Sequence, residues 1–322
     1  MKRLQIFLSL SLLAVLLLGA CAAPTAAPAP VETEAPPAEE EAPPVEEVTL
    51  GLVLSTLNNP FFVTLRDGAQ TAADAAGVKL IVVDAQDDSA KMIGGIEDLI
   101  SKQVSALLVN PTDADAVVPA IQKANEAGIP VFTVDRGASG GEVVSHIASD
   151  NVAGGKMAAE YLCEAIGAAG NVVELQGIAG TSAARDRGEG FNAYMAESCA
   201  DAPIVAQQTA NFNRDEGLTV FENILQAQPE IAGVFAHNDE MILGAIQAAE
   251  AAGRSGIVFV GFDAIDDAVQ AVKDGKLAAT VAQQPALMGQ LAVETAGKFL
   301  AGETVEAYIP VALSLVTPEN VQ

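Results

Sequence analysis

An acidic and a basic residue stand side by side directly after one of the apolar segments of this sequence. Asp135 and Arg136 follow the segment IPVFTV. A helix cap or a turn needs only a single small polar residue, so neither explains the pair. A carboxylate beside a guanidinium places hydrogen-bond acceptors and donors at one point. The pair is therefore suited to a ligand that carries several hydroxyl groups.

Other apolar segments also end in a residue with a hydrogen-bonding side chain. Such residues serve routinely as N-caps and turn residues, and we interpret Asp84, Asp113 and Gln176 in that way. Parallel β-sheets, however, bind ligands beyond the carboxyl ends of their strands. The remaining positions of this kind are candidates for a binding site: Ser55, Asn59, Asn110, Asn238, Asp263 and Gln283.

Phenylalanine side chains stand beside several of these polar positions. Phe61 and Phe62 begin a predicted helix, Phe212 lies in the polar stretch TANFNRD, and Phe262 precedes a candidate carboxylate. Any one of them would suit a hydrophobic core, but the group offers flat apolar faces beside polar side chains. The C–H faces of a sugar ring pack on such rings, while its hydroxyls need both donors and acceptors. Together these residues indicate a site for a neutral polyol.

Residue patterns of reactive centres are weak in this sequence. It has neither a phosphate-binding G-x-x-x-x-G-K-[ST] nor a dinucleotide-binding G-x-G-x-x-G. The three cysteines include no C-x-x-C pair and the two histidines lie far apart, so no zinc site is predicted. We interpret His146 and His237 as structural, and Asp266-Asp267 as first-turn helix residues. We expect no enzyme activity, no metal and no cofactor.

The candidate residues are positioned by a regular alternation of apolar segments and helical patterns. Segments such as VTLGLVLS and VKLIVVDA are nearly continuous apolar runs, as in buried parallel strands. Two doubly wound α/β lobes with parallel sheets are the simplest arrangement of this alternation. The predicted helices cover 60–76, 89–102, 113–127, 152–166, 184–198, 214–226, 241–252, 264–273 and 287–300.

Length and charge narrow the classes of function. The chain has 322 residues and is 50% hydrophobic, which suits two lobes better than one small core. Its 16 basic residues against 42 acidic residues give a formal net charge of −26. A surface this acidic repels phosphate backbones and anionic headgroups. We therefore expect no nucleic-acid partner and no membrane contact other than through an anchor.

The N-terminus reads as an export signal. Two cations at 2–3 precede an apolar run at 6–18, which is too short for an ordinary membrane span and typical of a secretory signal. The run ends in LGAC, which resembles the lipidation motif of bacterial lipoproteins. The resemblance implies removal of 1–20 and a lipid on Cys21. The alternative is a plain signal peptide that is cut near Ala20 or Ala23.

A linker follows this signal. Residues 21–47 are rich in proline and glutamate and show no apolar periodicity, so they predict a disordered tether. The folded part would thus be exported and held at the outer face of the cell membrane or in the periplasm.

Stretches from most of the folded part resemble one family. STLNNPFF, LLVNPTDADAV, EVVSHIASDN, ELQGIAGTSAARDRGEGF, NDEM, VGFD and DGKLAATVAQ are similar to type I periplasmic binding proteins, which supply sugars to ABC importers. The family's fold has two lobes that each supply half of a sugar site. The resemblance implies N-lobe contacts at Asn59, Phe61, Phe62, Asp135 and Arg136, with Asn110 alongside. It implies C-lobe contacts at Arg187, Phe212, Asn238, Asp263 and Gln283, with Ser55 and Phe262 of second rank.

The same resemblance implies a domain division and a function. The N-lobe would comprise 48–149 and 284–312, and the C-lobe 150–283 and 313–322, joined by a three-segment hinge. The expected function is the capture of D-ribose between two closing lobes and its delivery to a membrane permease. We expect a monomer, with a chemoreceptor as a second partner.

Three alternatives stay open at this stage. The same fold could bind another monosaccharide, such as allose, another pentose or a furanose signal molecule. A surface sugar hydrolase is disfavoured because no carboxylate pair stands out. A sugar-sensing transcription regulator shares the lobe pair, but the acidic charge and the lipidation motif oppose it.

Two cysteines raise a separate question. Cys163 ends a predicted helix just before the strand NVVELQ, and Cys199 ends the next helix, which runs back antiparallel to that strand. Both therefore fall near the amino edge of one sheet, and an exported protein folds in an oxidising compartment. A disulfide between them and a pair of free buried thiols are both compatible with the sequence.

Overall fold

The computed structural model of this protein describes residues 47–321. The predicted signal peptide, the predicted lipidation site Cys21 and the predicted Pro/Glu linker up to residue 46 lie outside the described residues. Among residues 47–321, no helix combines the length and the apolar character that a membrane crossing requires.

Twelve β-strands of the described chain form two six-stranded sheets. The strands are β1 (Thr49–Leu54), β2 (Lys79–Asp84), β3 (Ala106–Val109), β4 (Val131–Val134), β5 (Ser145–Ser149), β6 (Val172–Gln176), β7 (Ile204–Thr209), β8 (Gly233–Ala236), β9 (Val258–Asp263), β10 (Ala279–Ala282), β11 (Tyr308–Val311) and β12 (Ser314–Val316).

The strand order defines an N-lobe and a C-lobe. The N-lobe sheet has the order β11-β5-β4-β3-β1-β2, and the C-lobe sheet has the order β12-β10-β9-β8-β6-β7. Every neighbouring pair is parallel except β10 and β12, so the C-lobe sheet ends in one antiparallel edge strand. The predicted fold class, two doubly wound parallel-sheet lobes, is confirmed.

Helices cover both faces of each sheet. They are α1 (Pro60–Ala76), α2 (Ser89–Ser101), α3 (Val118–Glu126), α4 (Asn151–Ala165), α5 (Ser182–Ser198), α6 (Arg214–Ala227), α7 (Asp239–Ala251), α8 (Asp266–Lys273) and α9 (Pro285–Leu300). Each sheet separates two apolar clusters, one on each face. This double burial explains why most strands read as continuous apolar runs.

The boundaries of α1 show how local sequence sets an element. Asn59 is the N-cap, its side chain accepts from the Phe61 amide, and Pro60 takes the first helical position. Gly77 ends the helix with a φ of 66°, a left-handed conformation that glycine adopts readily. Both ends of this helix are as predicted.

Five helix starts differ from the sequence prediction by two residues or more, and one strand was not predicted. Helices α5, α7 and α9 begin two residues earlier than predicted, at Ser182, Asp239 and Pro285. Helix α3 begins at Val118 and not at 113, because the Asp113 carboxylate accepts from the amides of Asp115 and Ala116 and forms a turn. Helix α8 begins at Asp266 and not at 264, because φ is positive at 263 and 264. Strand β5 was not among the predicted elements; its short sequence SHIAS is less apolar than the other buried strands.

The chain passes between the two lobes three times. It crosses from β5 to α4, from β10 to α9, and from β11 to β12. Helix α9 returns to the N-lobe because it packs tightly on α1: a Cβ atom at Gly68 would lie 2.1 Å from the carbonyl oxygen of Ala286. Each lobe is therefore built from separate parts of the chain.

A disulfide joins two helices of the C-lobe. Cys163 in α4 and Cys199 at the C-terminal end of α5 are bonded, with their Cα atoms 6.1 Å apart. The two helices pack closely along their length, since a Cβ atom at Gly155 would lie 2.1 Å from the Arg187 carbonyl oxygen.

Candidate functional site

A small cavity lies between the lobes, at the carboxyl ends of both parallel sheets. All but one of the predicted first-rank residues line it, and each lining residue is at most 8% exposed. Asn110 is the exception, and Ala183 is a lining residue that the sequence did not suggest. The predicted residues that line the cavity are Asn59, Phe61, Phe62, Asp135, Arg136, Arg187, Phe212, Asn238, Asp263 and Gln283.

The N-lobe half of the site centres on a strained turn after β4. Asp135 has a φ of 62°, and the Arg136 amide donates to the Val134 carbonyl at 2.7 Å, so the three residues form a γ-turn. A non-glycine residue in this conformation must be held by its surroundings. The turn aims two consecutive side chains, one acidic and one basic, into the same cavity.

Asn110 holds this turn from behind. Its side-chain nitrogen donates to the Val134 carbonyl at 3.0 Å and to Asp135 Oδ2 at 3.1 Å, and its oxygen accepts from the Ser55 amide at 3.2 Å. Because these bonds engage both ends of its amide, Asn110 stands one layer behind the cavity. The prediction that Asn110 lies alongside the contacts thus corresponds to a supporting position. Ser55 is fully buried and is also absent from the lining.

The Arg136 guanidinium lies between two aromatic rings. Its central carbon is 5.1 Å from the ring centres of both Phe62 and Phe212, which belong to different lobes. Within residues 47–321, Arg136 Nε, Arg136 Nη1 and Asp135 Oδ1 are buried without a hydrogen-bond partner. Burial raises the pKa of Asp135 and lowers that of Arg136. These polar atoms are positioned for a ligand.

The start of α1 supplies the apolar wall of the N-lobe. Phe61 and Phe62 pack edge to face, with ring centres 5.1 Å apart. Asn59 accepts from the Phe61 amide at 2.9 Å through Oδ1 and also lines the cavity. The capping and binding interpretations of Asn59 are therefore compatible, because its nitrogen remains available.

The C-lobe half centres on Arg187 of α5. Its Nε donates to Asn151 Oδ1 at 2.8 Å, and its Nη1 donates to the His237 carbonyl at 2.5 Å and lies 3.5 Å from Asp263 Oδ1. The guanidinium also lies over the Phe262 ring, 3.8 Å from its centre. Phe262 is thus a platform beneath Arg187 and does not line the cavity. Asn151 went unnoticed in the sequence because it reads as an ordinary first helical residue.

Asp263 ends β9 in a strained conformation and faces Arg187. Its φ is 113°, and its Oδ1 accepts from Gln283 Nε2 at 2.8 Å. Gln283 Oε1 has no partner within the described chain. Burial raises the pKa of Asp263 to about 7, although the Arg187 charge acts in the opposite direction. The pKa places this carboxylate close to its titration point at neutral pH.

Asn238 connects a helix start to the loop that carries Phe212. Its Oδ1 accepts from the Met241 amide at 3.0 Å, and its nitrogen donates to the Phe212 carbonyl at 3.2 Å. Phe212 itself has a φ of 57°. Asn238 therefore caps α7, fixes the backbone of Phe212 and lines the cavity.

The two histidines lie beside the site and not in the lining of the cavity. His237 Nδ1 accepts from the Gly177 amide at 3.3 Å, and Nε2 lies 2.7 Å from the buried Glu174 carboxylate. His146 Nδ1 lies 2.9 Å from the Thr133 hydroxyl. Burial lowers the pKa of both imidazoles. Their contacts agree with a structural role for both.

The assembled site has one acid–base pair from each lobe and aromatic faces between them. Such an enclosed, balanced set of donors and acceptors suits a neutral ring with several hydroxyls. No group of three or more potential metal ligands occurs among residues 47–321. A larger groove lies between α1 and α9, and half of its lining residues are alanine or glycine.

Comparisons with known proteins agree with this chemistry. Residues 50–304 match the family model described as periplasmic binding protein domain. The chain is 53% identical to the ribose import binding protein RbsB of Escherichia coli K12 over 271 residues, which is 84% of this chain and 91% of that protein. It is 49% identical to the protein of the same name from Bacillus subtilis, over 84% of this chain and 88% of that protein.

A solved structure extends the likeness to the fold. The periplasmic solute binding protein of an ABC transporter from Actinobacillus succinogenes, crystallised with bound D-allose, has a TM-score of 0.80 and 35% identity. The match covers 85% of this chain and 99% of that one.

Proposed function

The chain belongs to the family of periplasmic binding proteins, and from that premise we propose that it captures D-ribose and delivers it to an ABC importer. It is a solute-binding protein and not an enzyme. The observation that carries the proposal is the enclosed cavity, where unpaired donors and acceptors from two lobes face one another between aromatic rings.

Ribose fits the inventory of polar groups. The free atoms Asp135 Oδ1 and Gln283 Oε1 can accept hydrogen bonds from sugar hydroxyls, and Arg136 can donate to hydroxyl or ring oxygens. Phe61, Phe62 and Phe212 provide the apolar faces. We assign the direct contacts to the cavity-lining residues, and supporting positions to Asn110, Ser55 and Phe262.

Binding and release would proceed by lobe closure about the three crossings. The proposed N-lobe is 48–149 with 284–312, and the proposed C-lobe is 150–283 with 313–322. Contacts across the cleft support a closed arrangement: the Ala114 amide donates to the Gly180 carbonyl at 2.9 Å, and the Gly137 amide donates to Ser182 Oγ at 2.8 Å. Sugar that meets both half-sites at once would shift the population towards this form.

The partner would be a membrane permease that recognises the closed form. The family associates with ABC importers and is exported. We further propose that a lipid on Cys21 holds the protein at the membrane, that it acts as a monomer, and that a chemoreceptor can bind the same closed form. The lipidation motif in the sequence supports the anchor.

A calorimetric panel of three monosaccharides and one cyclic polyol tests the function. Purified protein freed of sugar is titrated with D-ribose, D-allose, D-galactose and myo-inositol, and ribose is expected to bind most tightly. The variants Asp135→Ala and Arg187→Ala serve as site controls and should weaken binding. Unchanged ribose binding in both variants would remove these residues from the site.

Another monosaccharide is the second candidate, because a structural relative with 35% identity holds D-allose. The same panel separates the two, since the sugar with the lowest dissociation constant identifies the ligand. If none of the four compounds bound, the proposal of a ribose carrier would be rejected.

A further inference from the structure

We propose that Asp239, a buried carboxylate that does not line the cavity, is a positioning residue that holds Asp263 where it meets the sugar. The inference rests on the proposed function, since it assigns a role in the same site. Asp239 follows the cavity-lining Asn238 and occupies the first position of α7, and its side chain points to the end of β9.

Both oxygens of Asp239 bind the segment that follows β9. Oδ2 accepts from the Ile265 amide at 3.0 Å, and Oδ1 accepts from the Thr280 hydroxyl at 2.7 Å. Thr280 Oγ1 in turn accepts from the Ala264 amide at 3.2 Å. The carboxylate thus holds two consecutive backbone amides, one directly and one through Thr280.

The segment held in this way is strained. Asp263 has a φ of 113° and Ala264 a φ of 55°, so two consecutive non-glycine residues have positive φ. Such a backbone conformation is strained and persists only where the surroundings hold it. Without Asp239, relaxation at 264 would turn the Asp263 carboxylate away from Arg187 and Gln283, which bind it.

A glycine next to the Asp239 side chain leaves the space that its carboxylate occupies. A Cβ atom at Gly261 would lie 2.2 Å from Asp239 Oδ1, so any other residue at 261 would displace it. Burial and the nearby Asp263 charge raise the pKa of Asp239 well above its ordinary value. Keeping a carboxyl group in such a place is unfavourable unless hydrogen bonds compensate for it, as those from the Ile265 amide and the Thr280 hydroxyl do.

A role in the helix dipole alone does not explain Asp239. Acidic residues in the first turns of other helices remain exposed, as do Asp215 and Glu216 of α6 and Asp266 and Asp267 of α8. A carboxylate that only neutralises a helix N-terminus gains nothing from full burial. The two amides are therefore the better explanation.

The test compares ribose affinity in Asp239→Ala, Asp239→Asn and a matched control. The control is Ile224→Ala, which removes a buried C-lobe core side chain on α6 that does not line the cavity. At a temperature at which all variants are folded, Asp239→Ala should weaken ribose binding about tenfold or more. The Asn side chain still offers an acceptor and a donor, so Asp239→Asn should recover most of the affinity, while Ile224→Ala should leave it unchanged.

A double-mutant cycle separates positioning from general destabilisation. If Asp239 acts through Asp263, adding Asp239→Ala to Asp263→Ala should cause little further loss, whereas adding it to Asp135→Ala should multiply the losses. The inference would be overturned if the affinity losses of Asp239→Ala and Asp263→Ala multiplied in the double variant. It would also be overturned if Asp239→Ala bound ribose as tightly as the wild-type protein. If Asp239→Ala does not fold, Thr280→Val tests the hydroxyl bridge in the same cycle.

A ligand-free crystal structure of Asp239→Ala gives a reading that does not depend on ribose. Loss of positive φ at 263–264 supports the inference, and an unchanged segment overturns it. Failure of the wild-type protein to bind ribose would reject the proposed function alone, because the backbone of the ligand-free variant still decides the role of Asp239.

Discussion

The two halves of the proposed sugar site reach a similar chemistry by different routes. In the N-lobe, the acid and the base are consecutive residues of one γ-turn, and Asn110 supports them. In the C-lobe, Arg187 of α5 and Asp263 of β9 are distant in sequence and meet only in the folded protein. One half is therefore set by local geometry and the other by tertiary packing.

The halves also differ in charge. The N-lobe half places one buried carboxylate, Asp135, beside Arg136, whereas the C-lobe half places Asp263 beside Arg187 and also close to a second buried carboxylate, Asp239. A guanidinium lowers the pKa of a carboxylate beside it, whereas a second buried carboxylate nearby raises that pKa. The C-lobe half should therefore be the more pH-sensitive one. Four predictions test this comparison, in order of decreasing effect on ribose affinity.

Arg187→Ala should have the largest effect. It removes the hydrogen-bond donor to Asn151 and to the His237 carbonyl and the ion-pair partner of Asp263 at once. We expect about 3 kcal/mol of lost binding free energy, or roughly a hundredfold in affinity, by calorimetry. The exposed Arg185→Ala on the same helix is the control and should bind ribose normally. A loss of less than about tenfold would contradict the importance given to tertiary packing.

Asp135→Ala should have a smaller effect of the same kind. It removes one acceptor for the sugar and leaves Arg136 without its neighbouring carboxylate. The expected cost is about 2 kcal/mol, or roughly thirtyfold in affinity, in the same titration. The control is Asp98→Ala, which changes an exposed residue of α2 and should leave the ribose affinity unchanged. An effect larger than that of Arg187→Ala would reverse the ranking of the two halves.

Acidification should weaken ribose binding through the C-lobe half. Asp263 has a pKa of about 7 in the sugar-free protein, and hydroxyls that donate to it favour the charged form. Affinity should therefore fall as pH decreases from 8 to 5, by at most about tenfold per pH unit. The charged and titratable groups that face Asp263 are Arg187, Asp239, Asp135 and Arg136.

The comparison protein for this pH series is Asp263→Asn. It should bind weakly but with a flatter pH profile, and an equally steep profile would exclude Asp263 as the titrating group.

The free energy of unfolding should change with pH in the opposite direction to the ribose affinity. Because the folded-state pKa is raised, the contribution of this group to stability is complete below its ordinary value of 3.8 and is lost as pH rises through 7. Denaturant titrations of both proteins at several pH values measure the difference.

Removing the disulfide should have the smallest effect on affinity. Cys163 and Cys199 lie outside the cavity lining, so the double variant with serine at both positions should bind ribose normally. Its unfolding free energy should fall by about 4 kcal/mol, since the bond closes a loop with a sequence separation of 36. Denaturant titration measures this loss.

Alkylation of the wild-type protein without reductant should leave both cysteines unlabelled, and two labels would mean that the thiols are free.

The sequence predicted the elements better than the conformations that join them. The consecutive pair at 135–136 was visible locally, and the helix over Pro60–Ala76 was bounded by its cap and glycine. Arg187 stands in the middle of a helix and was found only through family resemblance. Positive φ at Asp135, Phe212 and Asp263 had no sequence signal, because these residues rarely adopt it without tertiary support.

The sequence also did not show which residues line the cavity and which residues lie behind the lining. Asn110 and Phe262 look like lining residues by position, yet they hold Asp135 and Arg187 from behind. Which of two neighbouring polar residues faces a cavity depends on packing between distant segments. The buried role of Asp239 is invisible for the same reason, since an acid at a helix start is common.

The three crossings between the lobes affect the order in which a growing chain can fold. The last parallel strand of the N-lobe, β11, comes after every strand of the C-lobe except β12. A chain that emerges from its N-terminus therefore cannot complete its earlier lobe until nearly all residues have been translocated. Neither lobe can be cut out as one uninterrupted fragment, and shortening the C-terminus by fifteen residues would remove an edge strand from both sheets at once.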